Sequence, residues 1–208
     1  GAVFREQINK IATYLVLEAA NVLNIPVNQY TSNSPPPHGQ PYEGEIIHSE
    51  DFGLIALMRS GMTMATAVHE LLPSACVGHA GYRYVSSEFE GSELIPFYKA
   101  VPHLRGRFCF VFDAGIVTGQ SLVALLRHMF TKMEADPAKT VIITAIATKQ
   151  GADLINSTFS TVNIPIFAAA CDKKIVLYGS KSYAVPGAGI FQERMFGGQV
   201  TDEKKFDD

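Results

Sequence analysis

The sharpest chemical signal in this chain is an acid at the end of an apolar run, closely followed by a hydroxyl–glycine–hydroxyl cluster. The segment is RFCFVFDAGIVTGQS, residues 107–121. A buried strand would deliver Asp113, and Thr118-Gly119-Gln120-Ser121 would open a helix. That layout suits a phosphate monoester. Backbone N–H groups at a helix N-terminus point at an anion, and the helix dipole favours it. Thr118 and Ser121 add hydroxyl donors, and Gly119 allows a backbone conformation closed to residues with side chains. A nucleoside-triphosphate loop is excluded, because GIVTGQS has no lysine to reach the β- and γ-phosphates. A dinucleotide fingerprint is excluded as well, since no G-x-G-x-x-G stands there.

A second chemical residue is Arg59, in RSG directly after the apolar run 53–58. A guanidinium leaving a buried strand needs an anionic partner, and its fork fits phosphate oxygens. The six histidines show no ligand spacing, and no Cys/His spacing suggests zinc. His69 and His128 read as surface or packing residues. Met58, Met62 and Met64 read as core filler. Cys76, Cys109 and Cys171 each lie in apolar runs and are expected as buried thiols in a reducing compartment.

Positioning these residues requires buried strands that end where the loops begin. GLIALM (53–58), ACVGHA (75–80), RFCFVF (107–112), VIITAIA (141–147) and IPIFAAA (164–170) are continuous apolar runs. Helical patterns lie between them: MTMATAVHELL, about 121–133, and a helix beginning near Gly151. Such alternation predicts an α/β fold with a parallel sheet covered on both faces. Ligands in such sheets bind outside the carboxyl ends of the strands. Before the first run, Phe4, Ile8, Ile11, Leu15, Ala19 and Val22 give one apolar helical face, ended by Pro26. The Pro/Ser/Asn stretch around 31–45 is expected to be an exposed excursion. SSEFEGSE (86–93) reads as a β-arm or mobile loop, and TDEKKFDD as a solvated tail.

Composition bounds the function. At 208 residues with 47% hydrophobic and 18% charged side chains, one domain over 1–208 with a real core is expected. A net charge of −3 leaves no basic excess for a phosphate backbone, so no nucleic-acid partner is expected. No apolar stretch reaches membrane-spanning length, so no membrane partner is expected. GAVFREQINK lacks a signal-peptide layout, so a cytoplasmic location is expected.

DAGIVTGQS resembles the 5-phosphoribosyl 1-diphosphate (PRPP) loop of type I phosphoribosyltransferases. Ala114 stands where most of them carry a second acid. It is similar to the uracil phosphoribosyltransferase branch, with its D-P-x-L-A-T-G-G-S. FREQINKIATYLVLEA, LMRSGMTMATAVHELLPSA and SYAVPGAGIFQERMFG resemble other segments of that family in its order, across most of the chain.

The resemblance implies a mostly parallel twisted sheet flanked by helices, with a β-arm and a C-terminal hood. It implies the reaction of uracil with PRPP to give UMP and diphosphate, with Mg²⁺. Asp113 would hold the ribose hydroxyls, directly or through Mg²⁺, and Arg59 and Arg83 would bind diphosphate. The loop Ala114, Gly115, Ile116, Val117, Thr118, Gly119, Gln120 and Ser121 would bind the rest of PRPP. Residues 182–197 would form the uracil pocket. There Tyr183 closes the site, the backbones of Ala184 and Gly189 read the base, and Ile190 and Phe191 adjoin it. Pro186 and Gly187 stiffen that backbone. Asp172 matches a family aspartate without a clear role, and a helix or turn cap fits it equally. At least a homodimer is implied.

The match breaks at several substrate-side positions. Where the family reads G-D-x-G-D-R, this chain has Gly189-Ile190-Phe191-Gln192-Glu193-Arg194. Isoleucine cannot bind a metal or accept a hydrogen bond. Gln120 replaces a glycine, and PFYKAVP (96–102) has Ala100 at a usual lysine. A catalytically silent binder of phosphoribosyl compounds, or a regulatory partner, therefore stays open beside the enzyme. So does another base. An RNA-binding attenuator of similar fold is disfavoured by its two-acid loop and by the absent basic surplus.

Overall fold

The computed structural model describes residues 1–23, 25, 27–32, 42–87, 91–178 and 181–197. The chain opens with α1 (Ala2–Leu23), then β1 (Asn28–Ser32) and β2 (Tyr42–Ile46). β3 (Phe52–Leu57), α2 (Ser60–His69), β4 (Cys76–Ser87) and β5 (Gly91–Ala100) follow. Next come β6 (Phe108–Phe112), a short β7 (Gly115–Ile116), α3 (Gln120–Lys132), β8 (Thr140–Thr148) and α4 (Lys149–Thr158). The chain continues through β9 (Ile166–Asp172), β10 (Lys174–Tyr178), β11 (Lys181–Val185) and α5 (Phe191–Phe196).

One seven-stranded sheet runs β5-β4-β3-β6-β8-β7, with β9 also paired to β8. β3, β4, β6, β7, β8 and β9 pair in parallel; only β4–β5 is antiparallel. This is the mixed α/β, mostly parallel architecture that the alternating runs predict. Every residue of β3 and β6 is buried, because helices cover both sheet faces. The pleat divides their side chains by alternate positions. Phe52, Leu54, Ala56, Phe110 and Phe112 pack toward α1 and α2. Ile55, Leu57, Cys109 and Val111 pack toward α3 and α4. Phe52 stacks on Phe110 at 6.1 Å between centroids, and Phe108 meets Phe110 edge-on at 5.3 Å. Each buried phenyl ring adds roughly 1.5–3 kcal/mol of transfer free energy. The sheet ends that carry the loops are thereby rigid.

α1 buries Ile8, Ala12, Val16 and Ala19, a stripe at three- and four-residue spacing. Val22, expected on that face, is 54% exposed, since the stripe drifts off the sheet at the helix end. α3 buries Leu122, Leu125, Leu126 and Met129. It starts at Gln120, one residue before the expected Ser121.

Three expectations need correction. The excursion at 31–45 is flanked by an antiparallel pair, with Asn28 opposite Ile46 and Ser32 opposite Tyr42; residues 33–41 lie outside the described residues. Cys109 is buried, Cys76 half-buried and Cys171 exposed; Cys171 lies on β9, which among the described residues pairs with β8 alone and whose residues 169–171 are exposed. The segment 182–197 is not one loop: its start is β11, which pairs with β10 in a hairpin. The β-arm expected around 86–93 is present as β4 paired antiparallel with β5; Glu88, Phe89 and Glu90 lie outside the described residues, as does the tail TDEKKFDD. No helix among the described residues is long and apolar enough to cross a membrane.

Candidate active site

Strands β3 and β6 end side by side, and the loops that follow them open on one cavity of about 770 Å³. β6 ends at Phe112, so Asp113 is the first residue beyond the core. Its backbone N–H donates to the Ile143 carbonyl at 3.2 Å. Ser60 Oγ donates to its Oδ1 at 2.8 Å, and the Gly115 N–H donates to the same oxygen at 3.4 Å. Burial pushes the Asp113 carboxyl up to about 6; the Ser60 hydroxyl and the Gly115 and Ala114 amides pull it back down. Ser60 opens α2, and the N-terminal end of that helix faces the cavity through Met58 and Ser60. Gly61 lets α2 sit against the strand end: a Cβ there would lie 2.1 Å from the Phe112 carbonyl oxygen.

The next turn is held from below. β7 pairs with Ile146 and Ala147 of β8. The Thr148 hydroxyl donates to the Val117 carbonyl at 2.5 Å and accepts from the Gly151 N–H at 3.0 Å, which also caps α4. Gly119 is at φ +78°, and a Cβ there would lie 2.6 Å from the Gly151 carbonyl oxygen. That left-handed residue turns the chain into α3. Among the described residues, no backbone carbonyl accepts from the amides of Thr118, Gly119, Gln120 or Ser121. All four residues line the cavity. The opposing wall comes from β4. The Tyr84 hydroxyl donates to Gln120 Oε1. Burial raises the Tyr84 phenol, and a hydrogen bond with Thr118 opposes that rise.

The hood closes the other end. Gly187 and Gly189 have φ of +60° and +73°. The Gly187 N–H donates to Asp172 Oδ2 at 2.9 Å. Arg194 donates to the Ala188 carbonyl at 2.6 Å, and its guanidinium lies 3.8 Å from the Phe4 ring centroid. Arg5 donates to the Met195 carbonyl at 2.9 Å. Phe191 lies against Gly115 on one side and Phe4 on the other. The first helix therefore holds the last loop.

Of the residues proposed from sequence, Asp113, Arg83 and Gly115 through Ser121 line this cavity, together with Tyr183, Ala184, Gly189, Ile190 and Phe191. Two do not. Ala114 is wholly buried and its side chain joins the core. Arg59 is half-buried between the lining residues Met58 and Ser60, without lining the cavity itself. Sequence reasoning missed Ser60, Tyr82 and Tyr84 as lining, and missed the bond made by Asp172.

The described lining holds one carboxylate, Asp113, and one guanidinium, Arg83. No group of three or more metal-ligating side chains occurs among the described residues. With Ile190 in the wall, the donor set does not fit a Mg²⁺ ion held by protein.

A strand-borne acid, a run of amides free of backbone carbonyl partners at a helix start and glycines at positive φ in the hood, on a mostly parallel sheet, define the type I phosphoribosyltransferase fold. A model of the uracil phosphoribosyltransferase family matches residues 1–198, and the chain belongs to that family. A uracil phosphoribosyltransferase of Thermosipho africanus is 27% identical over 93% of this chain and 86% of its own. Another, from Thermosipho melanesiensis, is 30% identical over 74% of this chain and 69% of its own. Among solved structures, the AQ2163 protein of Aquifex aeolicus shares the fold, with a TM-score of 0.78 at 22% identity. That match covers 94% of this chain and 86% of that one.

Proposed function

We propose that the chain transfers the 5-phosphoribosyl group of PRPP to uracil, giving UMP and diphosphate. The observation that carries this reading is a single cavity running from the amides of 118–121, past Asp113, to the 184–189 backbone. The order phosphate, ribose, base is the order of a nucleoside monophosphate. Breaking the anomeric C–O bond sends its electron pair to diphosphate; a base nitrogen then closes on the anomeric carbon and gives up its proton to the departing diphosphate or to solvent. Positive charge grows on the ribose as the bond opens. Asp113 faces that charge with the carboxylate oxygen that Ser60 and Gly115 leave free, and accepts from the ribose hydroxyls. Arg83 and the N-terminal end of α2 favour the departing diphosphate. The backbones of Ala184 and Gly189 read the pyrimidine edge, under Tyr183. Mg²⁺, for which the described lining offers no ligand set, would be held by substrate oxygens and water, a coordination this ion tolerates.

A second reading follows from Ile190, which puts an alkyl group in the wall where the resembling sequences carry a carboxylate. In it, the chain binds phosphoribosyl compounds without turning them over. Incubation with labelled uracil, PRPP and Mg²⁺ separates the two. UMP formation supports the enzyme. Its absence at high protein concentration, with tight UMP binding by calorimetry, supports the silent binder. Turnover recovered in Ile190→Asp would locate the loss at that wall. A panel of bases in the same assay tests uracil. We also propose at least a homodimer, which a monomeric sedimentation profile at micromolar concentration would contradict.

A further inference from the structure

Two buried polar side chains sit on one rung of the sheet, and each grips a different half of the cavity. β8 and β9 run in parallel with Thr148 opposite Asp172. Neighbouring strands lie about 4.8 Å apart, so the two residues are neighbours. Thr148 is 1% exposed and Asp172 5%. Thr148 spends its one hydroxyl proton on the Val117 carbonyl and takes the Gly151 N–H on a lone pair. Asp172 reaches fifteen residues along the chain to accept the Gly187 N–H. Val117 belongs to the anion loop and Gly187 to the hood. Both loops present backbone to the cavity, so the placement of their peptides is the recognition surface itself. Gly187 is held tightly: a Cβ there would lie 2.2 Å from the Ala184 carbonyl oxygen. With its N–H tied to Asp172, Gly187 is fixed between Ala184 on one side and Ala188 and Gly189 on the other, all three of which line the cavity.

We infer that Asp172 is a positioning residue that fixes the hood and, with Thr148 across the rung, sets the span from phosphate to base. The assignment of the hood to the base rests on the function proposed above. What Asp172 supplies is an acceptor, and its negative charge is not required. Asp172→Ala therefore raises the KM for uracil about tenfold, the order expected from leaving a buried N–H unpaired. The KM for PRPP stays within about twofold, because Thr148 still holds the anion loop. Asp172→Asn, whose amide oxygen accepts the same bond, brings the uracil KM back to within about threefold of the parent. Thr148→Val shows the converse, with the larger rise in the KM for PRPP. Equal rises in both constants for Asp172→Ala, or no recovery with asparagine, would overturn the inference.

Amide exchange at Gly187 in the ligand-free protein gives a readout that needs no turnover. It quickens about tenfold or more in Asp172→Ala and stays protected in Asp172→Asn. Unchanged protection in the alanine variant would equally sink the assignment. Should alanine prevent folding, Asp172→Ser, too short to reach Gly187, carries the same comparison. If the parent protein forms no UMP, the proposed function fails, and the exchange experiment still decides the role of Asp172.

Discussion

Replacing Asp113 with asparagine should make the protein more stable at neutral pH while removing its activity. Burial raises the Asp113 carboxyl from 3.8 to about 6. Between those values the folded chain holds more protons than the unfolded one. Stability therefore declines as pH climbs through that window, and the full cost of the charge is felt above it. Taken at face value, that rise corresponds to about 3 kcal/mol. The carboxylate opens on cavity water, which screens it, so about 1–2 kcal/mol is the realistic cost. Asparagine keeps the oxygen that accepts from Ser60 and Gly115 and carries no charge. For a chain of this size the gain amounts to about 2–8 °C in Tm at pH near 8. It should vanish by about pH 4, where the parent carboxyl is mostly protonated. Scanning calorimetry of both proteins at the two pH values measures it. A lower Tm at pH near 8, or an equal gain at both, would refute the account of Asp113 as a charge held at a cost. In parallel, UMP formation should fall by more than about tenfold, since the free oxygen no longer carries charge toward the ribose. Near-normal turnover would remove Asp113 from the chemistry.

Two further outcomes are expected. Gly119→Ala should destabilise the chain by about 1–3 kcal/mol, because it forces a side chain into the left-handed region and against the Gly151 carbonyl. UMP affinity should drop with it, read by urea titration and calorimetry; an unchanged midpoint would contradict the crowding described. Among the cysteines, the buried Cys109 thiol is pushed up to about 12 and Cys171 is exposed. Iodoacetamide on the folded protein should label Cys171 and spare Cys109, as peptide mass mapping would reveal; early labelling of Cys109 would contradict its burial.

The sheet was legible because strands buried on two faces must be apolar at every position. The runs at 53–58 and 108–112 carry that pattern without interruption, and 141–147 breaks it only at Thr144, whose hydroxyl donates to the Ile146 carbonyl. The start of α3 was legible from Gly119 and the amphipathic stripe behind it. β10 escaped notice because its side chains are largely exposed, so no burial pattern marks KIVLY as a strand. β1 and β2 escaped for the same reason. At the site, residues acting through type and local spacing, such as Asp113 and Thr118, could be read directly. Ser60 and Asp172 could not, because their partners lie 53 and 15 residues away. Such pairings depend on which strand ends become neighbours, and local sequence does not state that. Arg59, whose type suits an anion, stands in the turn into α2 between the lining residues Met58 and Ser60 without lining the cavity itself.

The seat of α2 on the end of β6 has a consequence for how this chain can change over generations. Nothing but a hydrogen atom separates Gly61 from the Phe112 carbonyl, so neither piece can shift without dragging its neighbour. Wall positions such as Ser60, Gln120 and Ile190 are open to exchange one at a time, each trial altering what the cleft prefers. The joint beneath them admits no such tinkering. Descendants can thus drift in appetite while inheriting, as an indivisible unit, the spacing from helix tip to carboxylate.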